Sequence, residues 1–293
     1  MSTSTVERAS ASIPANGIEI HYVEVGSTYL PDLVLLHGGL VTTSPLWEQA
    51  PVAYNAHLEL LAQHFHVIAP DARASGRTRH LGGKVSLSLL ADDVAALITA
   101  LGLERPAVAG FSLGGMVATI LAIRHPEAIG ALVNDAGCDC FDPDSPSFPM
   151  ARKVFGGSED ATSGSPEAME AFFGADPHMS VVFELMKADQ DAAGGPGAWR
   201  TYVQHFFETA SQWPGYGFAD LERIDVPALV LGGDQDYLSR PEDALRTYRA
   251  LPHGELAIVP GTGHEINTEK VGIMADFLGR HEADGARTSA DGQ

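Results

Sequence analysis

Five residues, Gly110-Phe111-Ser112-Leu113-Gly114, set a serine between an apolar run (residues 106–111) and a helix-forming stretch (residues 113–124). A G-x-S-x-G spacing between strand and helix describes a turn so sharp that the serine hydroxyl stands free in strained backbone. Side chains at the flanking positions would collide with the neighbouring strand and helix, so glycine stands there. Ser112 is thus a candidate nucleophile. A serine hydroxyl is a poor one until a base takes its proton, and the base needs a third group to hold its tautomer. The matching base is His264, in the Gly-rich loop Gly261-Thr262-Gly263-His264 just beyond the apolar run 255–260. Three aspartates stand at the ends of other apolar runs: Asp234 and Asp236 after 227–231, and Asp135 after 131–134. The task requires a carboxylate that stays ionised, reaches the imidazole and is shielded from water. Only one of the three can hold that position. The chemistry these residues could carry is acyl transfer through serine.

Such groups need a scaffold that brings distant loops together. Short apolar runs alternate with helix-length segments, which predicts an α/β class with a mostly parallel sheet and helices on both faces. Strands are expected at 33–37, 66–70, 107–111, 131–134, 228–231 and 256–259. Residues 86–101 carry Leu87, Leu90, Val94, Leu97, Ile98 and Leu101 at three- and four-residue steps, an amphipathic helix. A last helix is expected over 269–281, with the polar residues 282–293 disordered. Between the strands near 134 and 227 no strand pattern is visible. Ser165-Pro166 is a good helix start, with a serine cap and a proline in the first turn. The division expected is a core of residues 1–136 and 220–281 with an inserted helical lid at 137–219. Leu40, Phe148, Phe173, Trp199 and Phe206 are the candidate lining of an apolar pocket. Packing of the lid onto the core competes for the same side chains.

Several segments in order resemble one family, the α/β-hydrolases, over residues 16–281. Asn16 to Tyr22 resembles its opening hairpin, and residues 33–37 with Gly38-Gly39 resemble its third strand and oxyanion loop. Residues 67–76 resemble its D-x-R-G-x-G segment, with Ala74 where glycine is usual, a departure that touches a structural turn and not the chemistry. The order serine, acid, histidine is also that family's. The resemblance implies a nucleophile Ser112, a base His264 and, by its usual G-x-x-D placement, Asp236 as the acid, with Asp135 as the alternative. It implies an oxyanion hole of the Leu113 and Gly39 backbone N–H groups, Leu40 being the second choice, and a structural role for His37. Expected functions are hydrolysis of a carboxylic ester or lactone, or on the same triad C–C bond hydrolysis or acyl transfer. A non-hydrolytic ligand-binding or cofactor-free oxygenase member is the reading from another class. No cofactor and no metal are implied.

The formal charge of −20 repels phosphate backbones and anionic membranes, so neither nucleic acid nor membrane is an expected partner. A small-molecule substrate and a monomer or homodimer are expected. Residues 1–15 lack a continuous apolar stretch. Cys138 and Cys140, one residue apart, are expected to be free thiols, since a bridge between them would close a strained ring. Cytoplasmic location is the expectation that follows.

Overall fold

The computed structural model describes residues 8–48, 50–80, 82–137, 145–147, 165–175, 177–210 and 216–290. Cys138, Cys140 and Phe148 lie outside them. Chain entry is a hairpin, β1 (Arg8–Ala15) and β2 (Ile18–Val25), paired antiparallel across Asn16-Gly17. Both turn residues have left-handed φ, 46° and 77°, the conformation that an Asn-Gly pair favours in a tight hairpin.

Six further strands follow: β3 (Asp32–Leu36), β4 (His66–Pro70), β5 (Ala107–Phe111), β6 (Ala131–Asp135), β7 (Ala228–Gly233) and β8 (Gly254–Val259). They coincide with the six expected runs. The sheet order is β1-β2-β4-β3-β5-β6-β7-β8, antiparallel through β2–β4 and parallel from β4 onward. β4, β5, β6 and β7 are buried along their whole length, because helices cover both faces and leave no solvated side. Side chains alternate between those faces as a pleat requires. Val34, Val108 and Val230 face α1 (Leu87–Leu101), α2 (Leu113–Arg124) and α6 (Pro241–Ala250). Leu33, Leu35, Val133 and Leu231 face α7 (Thr268–Ala290) and the short helical turns around Tyr54 and Leu58. Strand order reverses at β3, whose neighbours are β4 and β5. The carboxyl ends of β3 and β5 therefore flank a crevice.

Two elements differ from expectation. β1 forms from a Ser- and Ala-rich stretch that the hydrophobic pattern leaves unassigned. The final helix, expected to stop at His281 before a disordered tail, instead runs through Ala290. Glu282, Ala283, Ala286 and Arg287 favour helix, and no proline interrupts them.

Between β6 and β7, among the described residues and besides the one-turn helix Phe218–Leu221, stand α3 (Pro166–Gly174), α4 (Pro177–Gly194) and α5 (Ala198–Ala210). The Ser165 hydroxyl accepts from Ala168 N and Pro166 opens α3, as the sequence suggested. Their apolar faces join with the loop after β3 in one cluster holding Leu40, Val41, Trp47, Phe173, Phe183, Trp199, Val203 and Phe206. No helix among the described residues is long and apolar enough to cross a membrane.

Candidate active site

Ser112 sits at the exit of β5 with φ 52° and ψ −117°, a strained backbone for any residue but glycine. The strain is enforced by neighbours. A Cβ at Gly110 would run into the Gly114 carbonyl, and one at Gly114 would stand 2.5 Å from the Leu36 carbonyl oxygen. The two glycines let α2 start directly against the ends of β5 and β3. The Ser112 N–H donates to the Asp135 carbonyl at 2.8 Å, which ties the turn to β6.

His264 arrives on the loop after β8. A Cβ at Gly233 would meet the Thr262 carbonyl, so glycine there lets the loops after β7 and β8 lie in contact. Asp234 N–H donates to the Val259 carbonyl and Gln235 N–H to the Thr262 carbonyl. Across this seam His264 Nδ1 lies 2.8 Å from Asp236 Oδ2, and Nε2 lies 3.0 Å from Ser112 Oγ. With Nδ1–H given to the carboxylate, Nε2 is left to accept the serine proton. The other Asp236 oxygen accepts the Leu238 and Ser239 N–H groups at 2.9 and 2.8 Å, and its side chain is fully buried. The ring of Phe111 packs on the imidazole at 4.8 Å between centroids.

The rival carboxylates are occupied otherwise. Asp234 is exposed, and it caps the facing loop by accepting the Thr262 N–H. Asp135 is buried beneath the site, with Lys270 Nζ at 2.7 Å from one oxygen and the Tyr54 hydroxyl donating to the other at 3.1 Å. Burial pushes the Asp135 carboxyl above its ordinary value even with Lys270 and Tyr54 bonded to it. Burial, with Asp135 beside it, pushes the Tyr54 phenol well above its own. Lys270 is fully buried and lies 5.6 Å over the Phe111 ring, behind His264. Sequence reasoning missed Lys270. Its signal was a charged residue beside Val271 on the same stripe as Met274 and Phe277, the buried face of α7.

The loop after β3 approaches from the other side. His37 Nε2 accepts the Ala72 N–H at 3.0 Å, so Nδ1 carries the proton and donates to the Gly38 carbonyl at 2.7 Å. His37 thereby braces the loop without facing the serine. Leu40 N–H is taken by the Tyr202 hydroxyl at 2.6 Å, which leaves Gly39 as the loop's candidate donor. Leu113 opens α2, where its N–H has no intrahelical acceptor. Of the candidate pocket residues, Phe206 packs against Gly39 so closely that no Cβ would fit there. Phe173 stacks on Phe183, and Trp199 stands edge-on to Phe183 beneath Arg200. Those contacts pack the inserted helices against one another.

A family model described as the alpha/beta hydrolase fold matches residues 32–271. The protein named "Putative carbamate hydrolase RutD" of Agrobacterium fabrum is 28% identical over 244 residues, which span 80% of this chain and 86% of that one. The pimeloyl-[acyl-carrier protein] methyl ester esterase of Aeromonas hydrophila subsp. hydrophila is 34% identical over 136 residues, 46% of this chain and 48% of that one. The crystal structure of the enol-lactonase from Burkholderia xenovorans LB400 superposes with a TM-score of 0.68 at 21% identity, covering 93% of this chain and all of that one.

Proposed function

The chain belongs to the α/β-hydrolase family, and from that premise we propose that it is a serine hydrolase cleaving a carboxylic ester or lactone of a small, largely apolar substrate. The observation that carries the reading is the continuous Ser112–His264–Asp236 relay, at 3.0 and 2.8 Å. Ser112 Oγ attacks the carbonyl carbon while His264 Nε2 takes its proton, and Asp236 stabilises the imidazolium. The negative oxygen of the tetrahedral intermediate is met by the Gly39 and Leu113 N–H groups. Collapse breaks the bond to the leaving alkoxide, which His264 protonates, and an acyl-Ser112 ester remains. Water activated by His264 then releases the acid and restores the serine. No step draws on a cofactor or metal.

Helices α3, α4 and α5 are read as a lid that contributes to substrate binding and takes no part in the bond-breaking steps. The name of the Aeromonas esterase supports an ester substrate. Carbamates can enter the same mechanism, and the name of the Agrobacterium relative supports them as alternative substrates. The reading has the enzyme working in the cytoplasm, as a monomer or homodimer, on a small molecule. The strong negative charge supports the exclusion of nucleic acid and anionic membrane as partners.

The test is turnover of short p-nitrophenyl esters together with labelling by a fluorophosphonate. Ser112→Ala is expected to abolish labelling and lower kcat/KM by about a thousandfold or more, with an unchanged melting curve. A variant that keeps a tenth of the wild-type rate would sink the assignment.

A further inference from the structure

Gly39 belongs to a loop held from two sides. On the core side His37 bonds it to Ala72 and Gly38. On the other side the inserted helices take over. Asp189 of α4 accepts from Thr42 Oγ1 and from Trp47 Nε1 at 2.5 and 2.9 Å. Tyr202 of α5 accepts from Leu40 N, and Phe206, one turn on, stacks against Tyr202 at 6.2 Å and covers Gly39. Leu40 stands at φ 70°, left-handed backbone that a leucine rarely adopts. A buried N–H without an acceptor is costly, and Tyr202 is the partner the structure gives this one. Burial, together with the nearby Asp189, pushes the Tyr202 phenol above its ordinary value despite the Leu40 bond, so it remains a neutral hydroxyl at working pH.

We infer that Tyr202 is a positioning residue for the oxyanion hole: its hydroxyl fixes Leu40 and hence the adjacent Gly39 N–H, so the hole is complete only while α5 is seated on the core. The inference rests on the reading of Ser112 as nucleophile. It gives the inserted helices a second task beside binding. A substrate that leaves α5 seated on the core keeps the Gly39 donor in place. One that lifts α5 removes the Leu40 anchor with it. Charge develops on the carbonyl oxygen only in the tetrahedral state, so a misplaced donor costs rate and not ground-state affinity.

Tyr202→Phe keeps the ring and deletes the acceptor. On p-nitrophenyl acetate kcat should fall about ten- to a hundredfold, the scale of a donor misplaced by about 1 Å, while KM and the midpoint of the pH–rate profile stay put. Affinity for phenylboronic acid, which forms a tetrahedral adduct on serine, should weaken by the same factor as kcat/KM. A merely structural role would lower the melting temperature and raise KM without singling out the tetrahedral adduct. Wild-type kcat and boronate affinity in Tyr202→Phe overturn the inference and leave the serine reading standing. A wild-type protein that neither hydrolyses the ester nor reacts with a fluorophosphonate overturns that reading, and the inference with it. Should Tyr202→Phe fail to fold, Phe206→Leu loosens the same loop from the Gly39 side. It must show the same kcat-selective loss, and an unchanged kcat there refutes the inference.

Discussion

Replacing Lys270 by methionine removes a cation that is fully buried under the site and leaves the Asp135 carboxylate with the Tyr54 hydroxyl alone. Methionine fills most of the same volume, so the perturbation is mainly electrostatic. Breaking one side of a buried pair costs about 3–5 kcal/mol, because the remaining charge is left uncompensated in a dry interior. A second route gives the same figure. Burial already holds the Asp135 carboxyl above its ordinary value with Lys270 in place, and without that cation it is pushed further up, so in the variant Asp135 folds in its neutral form. The unfolded chain ionises near 3.9, and holding a proton at pH 7 then costs about 1.4 kcal/mol for each of the roughly three intervening units, near 4 kcal/mol. A folded pKa above the unfolded one places this stability at low pH and removes it as pH rises. The penalty should therefore shrink to about 1.5 kcal/mol at pH 5, a slope of one proton. Urea unfolding of Lys270→Met at pH 5, 6 and 7 measures it, and the double variant with Asp135→Asn should lose the slope. A deficit under about 1 kcal/mol that does not move with pH would show that the two groups are not a desolvated pair.

The acid assignment separates on kinetics: Asp236→Asn should keep the fold and lower kcat about a thousandfold or more by holding His264 in the wrong tautomer, whereas Asp135→Asn should stay within about tenfold. The opposite pattern would move the acid to β6. His66 is bonded to Asp32 through Nδ1 and to Glu24 through Nε2; burial opposes its charge, yet the two carboxylates outweigh it and raise its pKa. Stability from this group is present below the unfolded value of about 6.5 and is lost as pH rises through the higher folded value. The difference in unfolding free energy between wild type and His66→Gln should decline from pH 6 to pH 8.5, and a flat difference would count against it. Trp199→Ala should cost about 3–5 kcal/mol of stability and slow acetate and octanoate esters alike, because Trp199 packs Phe183 and Arg200. A shift in chain-length preference at full stability would instead make it a pocket wall.

The parts of this architecture that local rules govern were readable from the chain. The central strands β5 and β7 are unbroken apolar runs, since both their faces are buried, and the serine turn is written in glycines that have no room for a Cβ. Ala74 marks a turn whose left-handed φ of 65° survives without the usual glycine. The edge strand β1 was hidden because half of it faces solvent and carries no apolar signature. The extent of α7 was hidden because polar composition reads as loss of structure when propensity alone can continue a helix.

What sequence could not resolve is pairing across distance, and the acid shows why. Asp135, Asp234 and Asp236 each stand at the end of a strand of the same sheet, and in the sequence only the family's usual G-x-x-D placement, not a contact, favoured Asp236. The decision lies elsewhere in the chain. Asp135 is taken by Lys270, 135 residues away, and by Tyr54, 81 residues away. Asp234 spends its oxygen on the Thr262 loop. Asp236 alone has one oxygen satisfied by the N–H groups of its own turn and the other free for a ring. The same holds for Leu40, whose amide could have served an oxyanion until Tyr202, 162 residues later, took it. For Asp135 and for Leu40 a polar side chain on an otherwise apolar helix stripe removes the competitor, whereas for Asp234 the backbone of the loop after β8 does so. A lysine or tyrosine on the buried face of a helix near such a serine is therefore a site residue in waiting, since a polar group buried there must have found a partner in the core.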